Sequence, residues 1–187
     1  MIELKNVSKS FDGKKVLDSF NAVFDKGSYL LKGPSGVGKT TCILLMLGLI
    51  KPDEGEIIRP SSMRFAVCFQ EDRLFEKETV LTNILAVNDN ISAEDAASAV
   101  LELLPPDSLN KKAGELSGGM KRRLAVIRAM LHESDCVILD EPFTGLDNEA
   151  REKTISFIRE RLNGRLLIVT SHDERGLNDL QVVLVES

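Results

Sequence analysis

Gly33-Pro34-Ser35-Gly36-Val37-Gly38-Lys39-Thr40 fits the spacing G-x-x-x-x-G-K-[ST]. Glycines at those positions let successive backbone N–H groups turn inward on phosphate oxygens, and a helix starting behind them adds a favourable dipole. Lys39 brings a cation to the β and γ positions of a triphosphate, and Thr40 offers a hydroxyl to Mg2+. The segment lies between an expected strand, Tyr29–Lys32, and an expected helix opening at Gly38, which is the context the motif requires. A chance match is expected in under roughly one random chain of this length in a hundred.

A second group stands at Val137-Ile138-Leu139-Asp140-Glu141, an apolar run ending in two carboxylates. Asp140 at the strand tip can hold Mg2+, through water, and Glu141 is then placed to polarise a water attacking a γ-phosphate. Alone, this segment would read as a strand ending in solvated acids. Beside a phosphate loop the chemical reading is stronger.

Leu116-Ser117-Gly118-Gly119-Met120 resembles the L-S-G-G-Q signature of the ABC (ATP-binding cassette) family, and Cys136, which begins the acidic strand, lies 19 residues after Ser117. The other landmarks of that family follow in order. Phe11 matches the aromatic that stacks on adenine, and Gln70 the glutamine that senses Mg2+ and the attacking water. Gly145-Leu146-Asp147 resembles the D-loop, and His172 matches the switch histidine near the γ-phosphate. Taken singly, Phe11 would be a core aromatic, Gln70 a strand-end polar residue, His172 a surface histidine and Ser117 a helix cap. Met120 stands where the family has glutamine, and activity is expected to survive that change.

The resemblance implies a nucleotide site with Glu141, His172, Lys39 and Gln70 as catalytic groups. Phe11, Gly33, Pro34, Ser35, Gly36, Val37, Gly38, Lys39, Thr40, Thr41, Gln70, Asp140, Ser117, Gly118 and Gly119 are the implied ATP contacts, and Thr40, Gln70 and Asp140 the implied Mg2+ contacts. It also implies a second ATPase subunit, as a head-to-tail homodimer, and a separate transmembrane permease subunit, placing the chain in the cytoplasm on the inner face of the cell membrane. Import is expected, because Gln70-Glu71-Asp72-Arg73-Leu74-Phe75 is similar to the corresponding region of nitrate-, sulfonate- and taurine-type importer ATPases. A soluble ABC ATPase acting on ribosomes or DNA is the competing class; such proteins carry two cassettes or a long coiled-coil insertion, and neither is seen here. A switch GTPase lacks support, since Asn110-Lys111-Lys112 is followed by Ala113 rather than the aspartate of N-K-x-D.

The expected fold class is α/β: a P-loop NTPase core with a mainly parallel sheet, an N-terminal antiparallel β subdomain and an inserted helical lobe. A single domain is expected over 1–187, with about 1–70 and 116–187 as core and β subdomain, and about 71–115 plus the signature helix 117–132 as the lobe. Expected strands are Ile2–Val7, Phe20–Phe24, Tyr29–Lys32, Arg64–Phe69, Cys136–Leu139, Leu166–Thr170 and Val182–Val185. The runs around Leu139 and Val169 are apolar throughout, as suits parallel strands buried on both faces. Gly38–Gly48 reads as a buried helix stopped by Lys51-Pro52. Ser92, Ser117 and Asp147 are expected caps. The helices behind them should turn Ala97, Val100, Leu101 and Leu104; Met120, Leu124, Ile127 and Leu131; and Ile155, Ile158 and Leu162 inward. Lys121, Arg122 and Arg123 read as a solvated helix face.

The net charge of −5 argues against broad nucleic-acid binding. The longest apolar run, from Cys42, falls far short of the roughly 18 to 20 residues that cross a bilayer. No secretory leader is expected at Met1, and with 15 residues following His172 no regulatory C-terminal domain is expected. Cys42, Cys68 and Cys136 lie far apart in apolar segments and read as buried thiols in a reducing compartment.

Overall fold

The computed structural model describes residues 1–88 and 90–186. In chain order, β1 (Ile2–Phe11), β2 (Lys14–Phe24) and β3 (Ser28–Lys32) lead into α1 (Lys39–Leu47), then β4 (Glu54–Ile58) and β5 (Phe65–Cys68). Helices α2 (Val80–Leu85), α3 (Ala93–Leu103) and α4 (Gly118–Leu131) precede β6 (Cys136–Asp140), α5 (Asn148–Arg161), β7 (Leu166–Thr170) and β8 (Gln181–Leu184).

Two sheets result. The first is antiparallel with order β2-β1-β4, and the second is parallel with order β5-β6-β7-β3-β8. Asp12 and Gly13 both take positive φ, 50° and 77°, so β1 and β2 join through a two-residue turn of the twist that hairpins favour. That turn carries β2 back to Lys14, well before the expected start at Phe20. Strand β4 was not expected. Its sequence, Glu-Gly-Glu-Ile-Ile, is an edge with little burial, so no hydrophobic alternation announces it.

The parallel sheet separates two apolar cores, and the two-residue period of a strand assigns each side chain to one of them. Along β6, Val137 and Leu139 point to the side packed by α2, α3, α4 and α5, while Cys136 and Ile138 point to the side shared with α1 and the antiparallel sheet. In β7, Leu167 and Val169 face the first side, Leu166 and Ile168 the second. This explains why both strands read as unbroken apolar runs: each has two dry faces.

Helix α1 ends at Gly48 as expected, but the stop is made by Gly48 itself rather than by Lys51-Pro52. Gly48 adopts φ 74°, which lets its N–H reach the Leu45 carbonyl and the Leu49 N–H reach that of Leu44, closing a Schellman-type end three residues before Lys51. Ser92, Ser117 and Asp147 cap α3, α4 and α5 through their side-chain oxygens. On α3, Val100 and the C-cap residue Leu104 are buried as expected, while Ala96, Ala99 and Leu103 complete the inward face in place of Ala97 and the exposed Leu101.

The basic run on α4 is not a solvated face. Arg122 is 7% exposed, because it follows Gly118 by one turn and lies on the stripe continued by Ala125, Val126 and Ala129. Lys121 pairs with Glu76, and Arg123 donates to the carbonyls of Gly119 and Leu103. Three charged residues in a row meet three different surroundings.

Candidate functional site

In a parallel sheet every strand ends at the same edge, and ligands gather there. The segments beginning at Gly33, Phe69, Glu141 and Ser171 leave β3, β5, β6 and β7 at that edge. They enclose a cavity of about 250 Å³ lined by Val16, Ser35, Gly36, Gly38, Lys39, Thr40, Thr41, Gln70, Asp140, Glu141 and His172.

The glycine loop owes its shape to two restraints. Gly38 takes φ 114°, and a methyl group there would sit 2.8 Å from Val16 Cγ1, so only glycine can turn the chain into α1 against the hairpin. Lys39, 7% exposed, folds back so that Nζ donates to the carbonyls of Gly33 (2.8 Å) and Pro34 (3.0 Å). Among the described residues no carboxylate pairs with that ammonium, so its charge remains directed at the loop.

Opposite the loop, Asp140 is 1% exposed and fully engaged. Its Oδ2 accepts from Thr40 Oγ1 at 2.9 Å and its Oδ1 from Thr170 Oγ1 at 2.6 Å. The parallel register pairs Asp140 with Thr170, and the same Thr170 oxygen accepts the Glu141 N–H at 2.9 Å. Thr170 therefore fixes both acids, a role that sequence reasoning missed. Its signal was a threonine ending an otherwise apolar strand.

Glu141 takes φ 51°, a left-handed conformation that costs a non-glycine residue about 1–2 kcal/mol. Its Oε2 accepts the His172 N–H at 3.3 Å. Oε1 lies 3.2 Å from His172 Nε2 but out of line for a hydrogen bond, leaving a buried carboxylate oxygen without a partner at the cavity wall.

The His172 turn is held from behind. Arg151, 6% exposed, donates to the carbonyls of Asp173 (2.7 Å) and Arg175 (2.9 Å), and its guanidinium sits 4.4 Å from the ring centroid of Phe143, two residues past Glu141. Burial pulls the Arg151 pKa down, and hydrogen bonds from Arg175 hold the Asp173 carboxyl well below the usual carboxylate range. Arg151 also escaped the sequence reading.

Other expected contacts lie elsewhere. Gly33 and Pro34 border a neighbouring depression with Ser171 and His172, and Val37 is buried in the core on the α1 side. Phe11 stands at the hairpin tip, 45% exposed, with Lys9 Nζ 5.6 Å from its ring centroid, outside the cavity wall. Ser117, Gly118 and Gly119 start α4 away from the cavity; there, a methyl group on Gly119 would meet the Gly145 carbonyl at 3.2 Å.

The oxygen donors at the cavity suit Mg2+. The Thr40 hydroxyl and the Asp140 carboxylate already converge on one another, with Gln70 at the rim and Lys39 supplying the complementary charge for phosphate. These are hard, neutral-to-anionic oxygen ligands, the chemistry that ion prefers.

The family model described as ABC transporter matches residues 19–144, two thirds of the chain. The chain belongs to the ABC transporter family. Among curated relatives of this ABC transporter family chain, the Nod factor export ATP-binding protein I of Burkholderia lata is 38% identical over 91% of this chain and 62% of its own length. The protein of the same name from Sinorhizobium fredii is 36% identical, over 91% of this chain and 55% of its own. The chain thus spans less than two thirds of the length of these relatives. Among solved structures, the dimeric bacterial ABC transporter cassette MJ0796 superposes with a TM-score of 0.84 at 25% identity, covering 100% of this chain and 94% of that one. Its post-hydrolysis dimer bound to ADP and Pi gives 0.87 at 23% identity, with the same coverage, a likeness in fold. The α/β architecture with a parallel sheet and an antiparallel β subdomain is that of the family.

Proposed function

We propose that this ABC transporter family chain binds and hydrolyses Mg-ATP, and that it drives a membrane transporter whose spanning subunit is a separate polypeptide. The observation that carries the reading is the unpartnered Glu141 oxygen. It is buried at the wall of a cavity that also holds a phosphate loop, an ammonium bonded to backbone carbonyls and a hydroxyl–carboxylate pair.

In this reading the backbone of Gly33–Lys39 and the N-terminus of α1 receive the phosphates, and Lys39 exchanges its two carbonyl partners for phosphate oxygens. Thr40 and Asp140 hold Mg2+, with Gln70 beside them. That ion, when bound, neutralises charge developing on the phosphates. Glu141 orients the attacking water, and His172, hydrogen-bonded to it through the backbone, faces the γ-phosphate. Phe11 stacks on the base from the hairpin.

Ser117, Gly118 and Gly119 serve the site of a second copy in a two-fold, head-to-tail pair. None of the three lines this chain's own cavity, which supports that assignment, and so does the dimeric state of the solved cassettes it superposes on. We read 1–70 and 116–187 as core and β subdomain, and 71–115 with helix 117–132 as the lobe that meets the permease. No helix among the described residues is long and apolar enough to cross a membrane, which supports peripheral attachment at the cytoplasmic face through that permease. The relatives from Burkholderia lata and Sinorhizobium fredii, both named for Nod factor export, favour export over the import suggested by Gln70–Phe75.

The test is phosphate release from Mg-ATP by the purified chain, alone and with its co-purifying membrane protein. Turnover that disappears in Lys39→Ala supports the reading. Absence of turnover in both preparations, or turnover indifferent to Lys39, overturns it.

A further inference from the structure

We propose that Arg122 is a positioning residue for Gln70: it fixes the backbone from which that side chain enters the cavity, and so ties the glutamine to the helix that begins at the signature turn. The inference rests on the role given to Gln70 above.

All three guanidinium nitrogens of Arg122 are spent on one short segment. Nη1 donates to the Phe69 carbonyl at 2.7 Å and approaches Cys68 Sγ at 3.7 Å, Nη2 donates to the Gln70 carbonyl, and Nε lies 3.2 Å from Asp72 Oδ1. That Asp72 oxygen is buried and has no other polar partner. Six residues further along α4, Arg128 donates to the carbonyls of Asp72 and Arg73, at 3.1 and 2.9 Å. Residues 69–73 follow β5 with no regular structure of their own, so these side chains supply partners that a sheet or helix would otherwise give. An arginine suits the task because its rigid planar fork fixes two carbonyls and a carboxylate in one geometry, whereas a lysine ammonium, with three rotatable donors on a flexible stem, sets their directions less firmly.

The geometry has a mechanical consequence. Arg122 is five residues beyond Ser117 on an uninterrupted helix. A displacement of the signature turn, as when it meets a second copy's nucleotide, carries Arg122 and with it the Gln70 carbonyl. The glutamine thereby reports on the far half-site.

A double-mutant cycle tests this. Arg122→Gln is compared in the native background and in Gln70→Ala, alongside hydrogen exchange of the peptide spanning 69–73. We expect Arg122→Gln to lower kcat by roughly 10- to 100-fold, the scale of losing a group that orients another, with KM for ATP within about twofold. In the Gln70→Ala background the same substitution should cost less than about twofold, because the group it orients is gone. Exchange across 69–73 should rise while the glycine loop keeps its protection. A purely structural role gives the same loss in both backgrounds, and that result, or unchanged exchange at 69–73, overturns the proposal. Should Arg122→Gln fail to fold by thermal melting, Arg122→Lys carries the cycle with a partial loss. A native chain without ATP turnover defeats the functional reading instead, and the exchange measurement still decides whether Arg122 holds the segment.

Discussion

Lys39 and Asp140 are buried and cross-braced by the Gly33 and Pro34 carbonyls and by the Thr40 and Thr170 hydroxyls, whereas Ser117 and Gly118 are exposed, with one capping bond of 3.4 Å from the Met120 N–H to Ser117 Oγ. Both are helix N-termini offering unsatisfied N–H groups to an anion. One is built into a finished pocket and the other is presented outward. The difference teaches that this chain supplies the surroundings of one helix N-terminus and leaves the other open, which is what the proposed pairing with a second copy requires.

The sharpest way to break that comparison is to disable the finished half alone. Glu141→Gln should cut turnover by about 10²- to 10⁴-fold, the usual contribution of a positioned base, while keeping ATP affinity. Sizing at saturating Mg-ATP should then show a stable dimer; a monomer under those conditions means the exposed turn has no role in trans.

Next in size is a mixing experiment. Lys39→Ala and Ser117→Arg should each lose about 10²- to 10³-fold in rate. Combined in equal amounts, they should recover about a quarter of native turnover, because half of random dimers are mixed and each mixed dimer keeps one intact site. No recovery would leave the two halves unconnected.

Glycines sharpen the contrast on the scale of stability. Gly38→Ala forces a side chain into a φ of 114° and a 2.8 Å clash with Val16, and should cost about 1–3 kcal/mol in denaturant unfolding. Gly118→Ala meets open space and should stay within about 0.5 kcal/mol. Gly38 is packed against the hairpin and Gly118 is not.

The smallest effect compares the two cores. Burial pushes Cys42 and Cys136, on the α1 side, up to about 12, and Cys68, on the helical side, up to about 11, from an ordinary 9.0. The folded values exceed the unfolded one, so this contribution is fully present below pH 9 and is lost as pH rises toward 11–12. We expect the melting temperature to fall over that range. The fall should be smaller in Cys→Ala variants, and native alkylation at pH 8.5 should be slow at all three thiols.

Much of this was legible beforehand, because phosphate chemistry and helix capping are local. The glycine loop, the acidic pair and the caps at Ser92, Ser117 and Asp147 depend on residues a few positions apart, and the structure places them as their types require. Thr170, Arg151 and Arg122 were hidden for the opposite reason. Each acts across 22 to 54 residues of sequence, and in a string of letters a buried arginine spending its donors on carbonyls looks like any solvated one. Strand β4 and the first half of β2 were missed because an edge or a hairpin arm need not alternate cleanly.

The left-handed backbone at Glu141 sets durability against activity at a single position. Glycine would relax that φ by about 1 kcal/mol or more, since it alone adopts it freely, and would delete the carboxylate in the same stroke. A directed-evolution campaign scored on heat resistance alone would therefore enrich Glu141→Gly and drift toward sturdy, inert proteins. Engineers seeking a hardier version of this molecule should lock that codon first.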